Sequence, residues 1–194
     1  VEKSKKYEVE RIVEHESYKK LTDSETWGIE PFDIALVEVK NPPKDIQFLR
    51  LPEEKSEVGE PITIVGWGST QPGGQVSTTL QKAELKILPS ERCGAVPNKF
   101  CTGVDDASKG ICQGDSGGPV LRRDLYGQYE ALGINSTGCG SDLVGSHTEI
   151  YAYLDWIKTV TGVTRSSQLS SLDSEDEVDG EPKNPEVEDC QSTQ

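Results

Sequence analysis

The stretch Cys112-Gln113-Gly114-Asp115-Ser116-Gly117-Gly118-Pro119 sets one hydroxyl among three glycines, directly behind an acid. Glycine lets the backbone turn sharply and lets a second molecule approach the main chain. A serine held this way can present its hydroxyl to a carbonyl carbon. The neighbouring backbone N–H groups can then face the oxygen that becomes charged in the attack. The chemistry implied is nucleophilic acyl transfer. A lone G-x-S-x-G would read equally well as a surface turn, whereas eight consecutive positions of this kind are a strong signal.

A nucleophilic serine needs a base, and the base needs an acid to orient it. Asp33 stands at the edge of the apolar run Ile34–Val39, where a buried carboxylate requires a partner. Alone it would read as an ordinary strand-edge acid. The chain has two histidines, His15 and His147, and neither lies in a metal-ligand pattern. The five cysteines, at 93, 101, 112, 139 and 190, match no zinc-ribbon spacing. No metal or cofactor is expected. Disulfides in an oxidising compartment are the better reading of the cysteines, and the odd count leaves one thiol over.

The elements that must position these groups are short. Residues 5–14 and 33–39 read as strands, and 41–61, with Pro42, Pro43, Pro52 and Gly59-Glu60-Pro61, as a connector. Apolar or alternating runs follow at 62–67, 80–88, 119–122, 130–136 and 146–151, separated by turn residues, which predicts an all-β barrel or sandwich. Residues 152–161 form the one helical pattern, with Tyr153, Trp156, Ile157 and Val160 on one face and Gly162 as a stop. Residues 166–194 hold nine acids and one lysine, so this tail carries −8 of the net −14 and leaves −6 on the rest. Its composition predicts disorder, and the tail region is bounded at 162–194. Such acidity argues against a nucleic-acid partner. No apolar run in these residues reaches the length of a membrane span, so no membrane partner is expected, and no signal peptide is expected within them.

The CQGDSGGPV run resembles the nucleophile loop of trypsin-like serine proteases. The likeness extends to Phe32-Asp33-Ile34-Ala35-Leu36, similar to the family's D-I-A-L segment, and to Gly66-Trp67-Gly68, similar to the G-W-G that opens its second barrel. Tyr153-Leu154-Asp155-Trp156-Ile157 resembles its closing helix. The resemblance covers about residues 5–161 and implies a double β-barrel whose first barrel, here 1–40, is incomplete. The second barrel with its helix occupies 62–161. It also implies a secreted endopeptidase made as a zymogen, with protein or peptide substrates and with protease inhibitors as further partners. Ser116 is then the nucleophile and Asp33 the orienting acid. The N–H groups of Gly114 and Ser116 form the oxyanion hole, and Asp115 is the acid that pairs with a new N-terminal amine after activation. Disulfides Cys93–Cys101 and Cys112–Cys139 are implied, with Cys190 unpaired or bonded to a missing N-terminal part or another chain.

The sequence departs from the family in several places. The family's histidine lies in a T-A-A-H-C context well upstream of the aspartate, and only 32 residues precede Asp33 here. His15 falls in a surface segment, and His147 where the family has a pocket-floor tyrosine. The I-V-G-G start is absent, and Val1 opens the chain. A fragment of a longer protease is therefore expected, inert for want of its base. The alternative is a non-catalytic homologue acting as a binding or regulatory module. One family disulfide is replaced by Ile62 and Arg122, so Arg122 is expected to point outward or to pair with an acid. Gly110 stands where an aspartate would select basic substrates, followed by Ile111. Ser136, Gly138 and Gly145 resemble the pocket walls. A neutral floor cannot offset the desolvation of a cation, so an apolar, chymotrypsin- or elastase-like preference is expected. The sequon Asn135-Ser136-Thr137 falls on that wall strand, where a glycan would not fit.

Overall fold

The computed structural model describes residues 6–18, 31–44, 46–124 and 127–168. Eight strands carry the fold: β1 (Val9–Glu14), β2 (Ala35–Val39), β3 (Pro61–Gly66), β4 (Gln81–Leu88), β5 (Lys99–Gly103), β6 (Pro119–Arg123), β7 (Tyr129–Thr137) and β8 (Gly145–Glu149). The last six close into an antiparallel barrel in the order β3-β4-β5-β8-β7-β6, and β1 and β2 form a separate two-stranded ribbon. The fold is therefore mostly β, as the turn-punctuated runs predict.

The barrel follows from alternation. In β4, Leu85 and Ile87 point inward while Glu84 and Lys86 face water, the two-residue period of a half-buried strand. Ile62 and Ile64 of β3, Phe100 of β5, Val120 of β6 and Leu132 of β7 complete one apolar core. Closure is made where Thr63 and Ile64 pair with Leu121 and Val120. Most strand limits lie within a residue or two of those expected from the sequence. β5, Lys-Phe-Cys-Thr-Gly, has no apolar alternation to announce it and is defined by its pairing with β4 and β8.

The expected helix at 152–161 divides in two. A 3-10 turn spans Ile150–Tyr153, and α1 spans Leu154–Thr161. Gly162, at φ 74°, ends α1 by donating its N–H to the Lys158 carbonyl at 2.8 Å. Ile150, Tyr153 and Ile157 pack on Ile34 in a second, smaller core beneath the ribbon.

One local expectation is corrected, and another is met in one of its two forms. Residues 162–168 do not open a disordered tail: 165–168 form a helical turn held to the connector. Arg165 donates to the Leu51 carbonyl at 2.9 Å and to Glu130 at 3.0 Å, and Gln168 accepts from the Leu51 N–H at 2.9 Å. The physical reason is a buried carboxylate, Glu130, that composition alone does not reveal. Cys190 and the rest of the tail lie outside the described residues. Arg122 takes the second of its two expected courses: it is 8% exposed and pairs with Glu130 at 2.5 Å and Glu60 at 3.2 Å.

Candidate active site

The loop carrying Ser116 runs between β5 and β6 and is anchored by Asp115. One carboxylate oxygen accepts the Gly68 N–H at 2.8 Å and the other accepts the Cys112 N–H at 3.0 Å. This explains both glycines of Gly66-Trp67-Gly68. A Cβ at Gly66 would lie 2.1 Å from Asp115 Oδ1, and one at Gly68 would lie 2.3 Å from its Cγ. The backbone reverses at Gly114, with φ at +97°, a region that side chains rarely tolerate. Within the loop Asp115 N–H donates to the Cys112 carbonyl, Gly117 N–H to that of Asn135, and Gly118 N–H to that of Asp115. Among the described residues neither Gly114 nor Ser116 donates a backbone–backbone hydrogen bond. Ser116 is exposed at the tip.

Asp33 lies just before β2 and faces the same cleft, which Ser116, Gly117, Ser136, Glu14 and Tyr18 also line. Its carboxylate accepts the Ser136 hydroxyl at 2.5 Å, and its carbonyl accepts the Thr148 hydroxyl at 2.8 Å. Ser136, expected only as a pocket wall, therefore also holds the acid. Behind it Lys99 donates to Ser136 Oγ at 2.8 Å, with its Nζ 4.0 Å from Asp33 Oδ2. The Lys99 side chain is 1% exposed. Sequence reasoning missed this residue, because one lysine at the start of an unannounced strand carries no signal.

Neither histidine lines the cleft. His15 stacks on Phe32 at 4.8 Å and lies 5.0 Å from Trp156, and its Nδ1 accepts the Ser17 N–H. His147 is fully buried between Thr102 (2.6 Å from Nε2) and Asn135 (3.1 Å from Nδ1). Asn135 offers its carbonyl oxygen there, so Nδ1 carries the proton and Nε2 accepts from Thr102. Burial, aided by the nearby Lys99 charge, lowers the His147 pKa to about 3. The ring is thus a neutral structural link. The Asn135 amide continues it by donating to the Asp115 carbonyl at 3.1 Å. Asn135 is 2% exposed, so its amide is committed to the loop rather than open to a glycan.

The residues expected at the specificity pocket lie close to this link. A Cβ at Gly110 would lie 2.2 Å from the Leu143 carbonyl oxygen. Ile111 is buried, and a Cβ at Gly138 or Gly145 would lie 2.5 or 3.1 Å from its Cγ1. The space between the two glycine positions is thus occupied by Ile111 itself. Disulfides Cys93–Cys101 and Cys112–Cys139 are both formed. Among the described residues no cluster of His, Cys, Asp or Glu could hold a metal, and no helix is long and apolar enough to cross a membrane.

The trypsin family profile matches residues 1–157. Transmembrane protease serine 11A of Homo sapiens is 32% identical over 174 residues, covering 81% of this chain and 40% of its own length. Transmembrane protease serine 11C of Mus musculus is 30% identical over 171 residues, covering 80% of this chain and 38% of its own. The chain thus spans about two fifths of the length of these curated relatives. The nucleophile-loop sequence, the β-barrel and these matches agree, and the chain belongs to the trypsin-like serine protease family.

Proposed function

We propose that these residues supply the nucleophile and the acid of a serine endopeptidase, and that the base comes from outside this sequence. Ser116 attacks the scissile carbonyl to form an acyl-enzyme, with the Gly114 and Ser116 N–H groups receiving the oxyanion. Asp33 orients and stabilises a histidine as it takes the proton. The observation that carries this reading is the shared cleft of Asp33, Ser136 and Ser116, with the Ser136 hydroxyl fixing the acid. Asp115, held by the Gly68 and Cys112 N–H groups, is the candidate acceptor for an activation-generated amine. Residues 1–40 are read as the remnant of a first barrel. Two disulfides support an extracellular, oxidising setting.

The pocket geometry sharpens the expected specificity. Gly110 provides no charge for a basic side chain, and Ile111 fills the interval between Gly138 and Gly145. The reading therefore favours small or medium aliphatic side chains over Phe, and either over Arg. Hydrolysis of Val–X, Phe–X and Arg–X peptides by the complete protein checks it, and an Arg preference would overturn it.

A second reading, a non-catalytic homologue, is favoured by the placement of both histidines away from the cleft. A fluorophosphonate probe separates the two. The enzyme reading expects labelling of the complete protein, loss of label and at least about a thousandfold loss of turnover in Ser116→Ala, and poor labelling of the 194-residue chain alone. An unlabelled complete protein would leave the second reading standing.

A further inference from the structure

Lys99 stands behind the acid end of the cleft, and the proposed chemistry has no use for it. Its ammonium is buried, which is costly unless the charge is paired and hydrogen-bonded. The pairing is arranged in series: Lys99 Nζ donates to Ser136 Oγ at 2.8 Å, and Ser136 Oγ donates to Asp33 Oδ2 at 2.5 Å. The ammonium itself stands 4.0 Å from that oxygen. Three elements fix the chain of contacts: β5 holds Lys99, β7 holds Ser136, and Thr148 of β8 grips the Asp33 carbonyl. Among the described residues Glu14 and Tyr18 line the cleft together with Asp33, and two further titratable groups bear on the pair and are neutral. His147 is kept neutral by burial, with Lys99 adding to the effect, and Tyr153 has its pKa raised by burial. The ammonium of Lys99 thus places a positive charge 4.0 Å from the cleft's acid, on its buried side.

We propose that Lys99 is a positioning residue that locks the Asp33 carboxylate through Ser136 and offsets its charge. The consequence rests on the endopeptidase reading above. An aspartate with a cation behind it stabilises an imidazolium less than a lone aspartate does, so the base gives up its proton more readily. The enzyme would then keep working at lower pH than one with an uncharged residue at this position. A second consequence is independent of activity: the carboxylate has partners even when no imidazole is present, so the cleft is held in shape without its base.

The test compares the complete protein with its Lys99→Met, Lys99→Arg and Ser136→Ala forms, each checked for folding by circular dichroism. The readout is the pH profile of kcat/KM on a peptide anilide ending in valine. Lys99→Met is expected to raise the acid limb by about one unit, which is roughly tenfold lower kcat/KM on the acid side, with the plateau unchanged. Lys99→Arg should restore the limb. Ser136→Ala, which keeps the ammonium and removes the bridge, should move the limb the same way by a smaller step, and it carries the test if Lys99→Met does not fold. A uniform fall at all pH values, or a lower melting temperature with an unmoved limb, would overturn the proposal. If none of the forms turns over substrate, the endopeptidase reading fails separately. Lys99 is then judged by a denaturation cycle with Asp33→Asn, in which non-additive losses support the pairing and additive losses overturn it.

Discussion

The ribbon and the barrel are built from similar strands and end in different states. β1 and β2 carry Val9, Ile12, Val37 and Val39, as β-branched as anything in the barrel, yet Ile12 is 60% and Val37 56% exposed. Ile62, Val120 and Leu132 of the barrel are 2% exposed or less. The difference is closure. Residues 61–149 contain every strand their sheet needs, so no edge is left unpaired. Among the described residues the ribbon is a two-stranded pair whose outer edges meet no further strand, the arrangement that isolated hairpins barely sustain. Strand pattern therefore tells that a segment pairs, and only topology tells whether its side chains are covered.

The sharpest way to test the barrel's side of this contrast is at its ion network. Glu130 is buried and receives both Arg122 and Arg165. Glu130→Ala removes the carboxylate that Arg122 and Arg165 share, leaving Arg122 with Glu60 and Arg165 with Glu53, and is expected to cost about 3 kcal/mol in denaturant unfolding. A loss below about 1 kcal/mol would mean that apolar packing alone holds that end. The next effect is in pH. His147 is neutral when folded, with a pKa of about 3 against 6.5 for an ordinary histidine. The unfolded chain therefore binds the extra proton first, and stability is full above pH 6.5 and falls as pH drops towards 3. By pH 4 this one group is expected to cost about 3 kcal/mol, a loss that His147→Gln should lack. The smallest expected effect belongs to the ribbon. Ile12→Ala should change stability by less than about 0.5 kcal/mol, while Leu132→Ala costs about 3 kcal/mol. An Ile12→Ala loss matching that of Leu132→Ala in the complete protein would show that another layer covers the ribbon there.

The parts that could be read from sequence were contiguous or periodic. The Ser116 loop announces itself because tight backbone geometry restricts several neighbouring residue types at once. β4 and the helix announce themselves through period. Gly66-Trp67-Gly68 was legible as a family motif, but its cause, room for the Asp115 carboxylate, needed coordinates. β5 was hidden because Phe100 is the sole large apolar residue of a strand covered on both sides by its neighbours. Lys99 and Ser136 meet Asp33 across 66 and 103 positions of sequence, and no local pattern encodes that meeting. Ile111 was read from sequence as a pocket residue, and its closeness to the Cβ positions of Gly138 and Gly145 needed coordinates. The ordered stretch after Gly162 depends on one arginine finding Glu130 inside the fold, which acidic composition around it disguised.

β6 joins two regions held by opposite kinds of chemistry. Its first residue, Pro119, follows the loop tied by Cys112–Cys139, and its far end delivers Arg122 to Glu130 and Glu60. A thiol reductant therefore attacks the end that presents Ser116 and leaves the other intact. Acid, by discharging carboxylates, reaches both ends, since Asp115 anchors the loop as Glu130 and Glu60 hold Arg122, and it spares the sulfur link. Reduction thus loosens one end of this strand and acid loosens both, so the order in which function and fold are lost becomes a property of the solvent as well as of the chain.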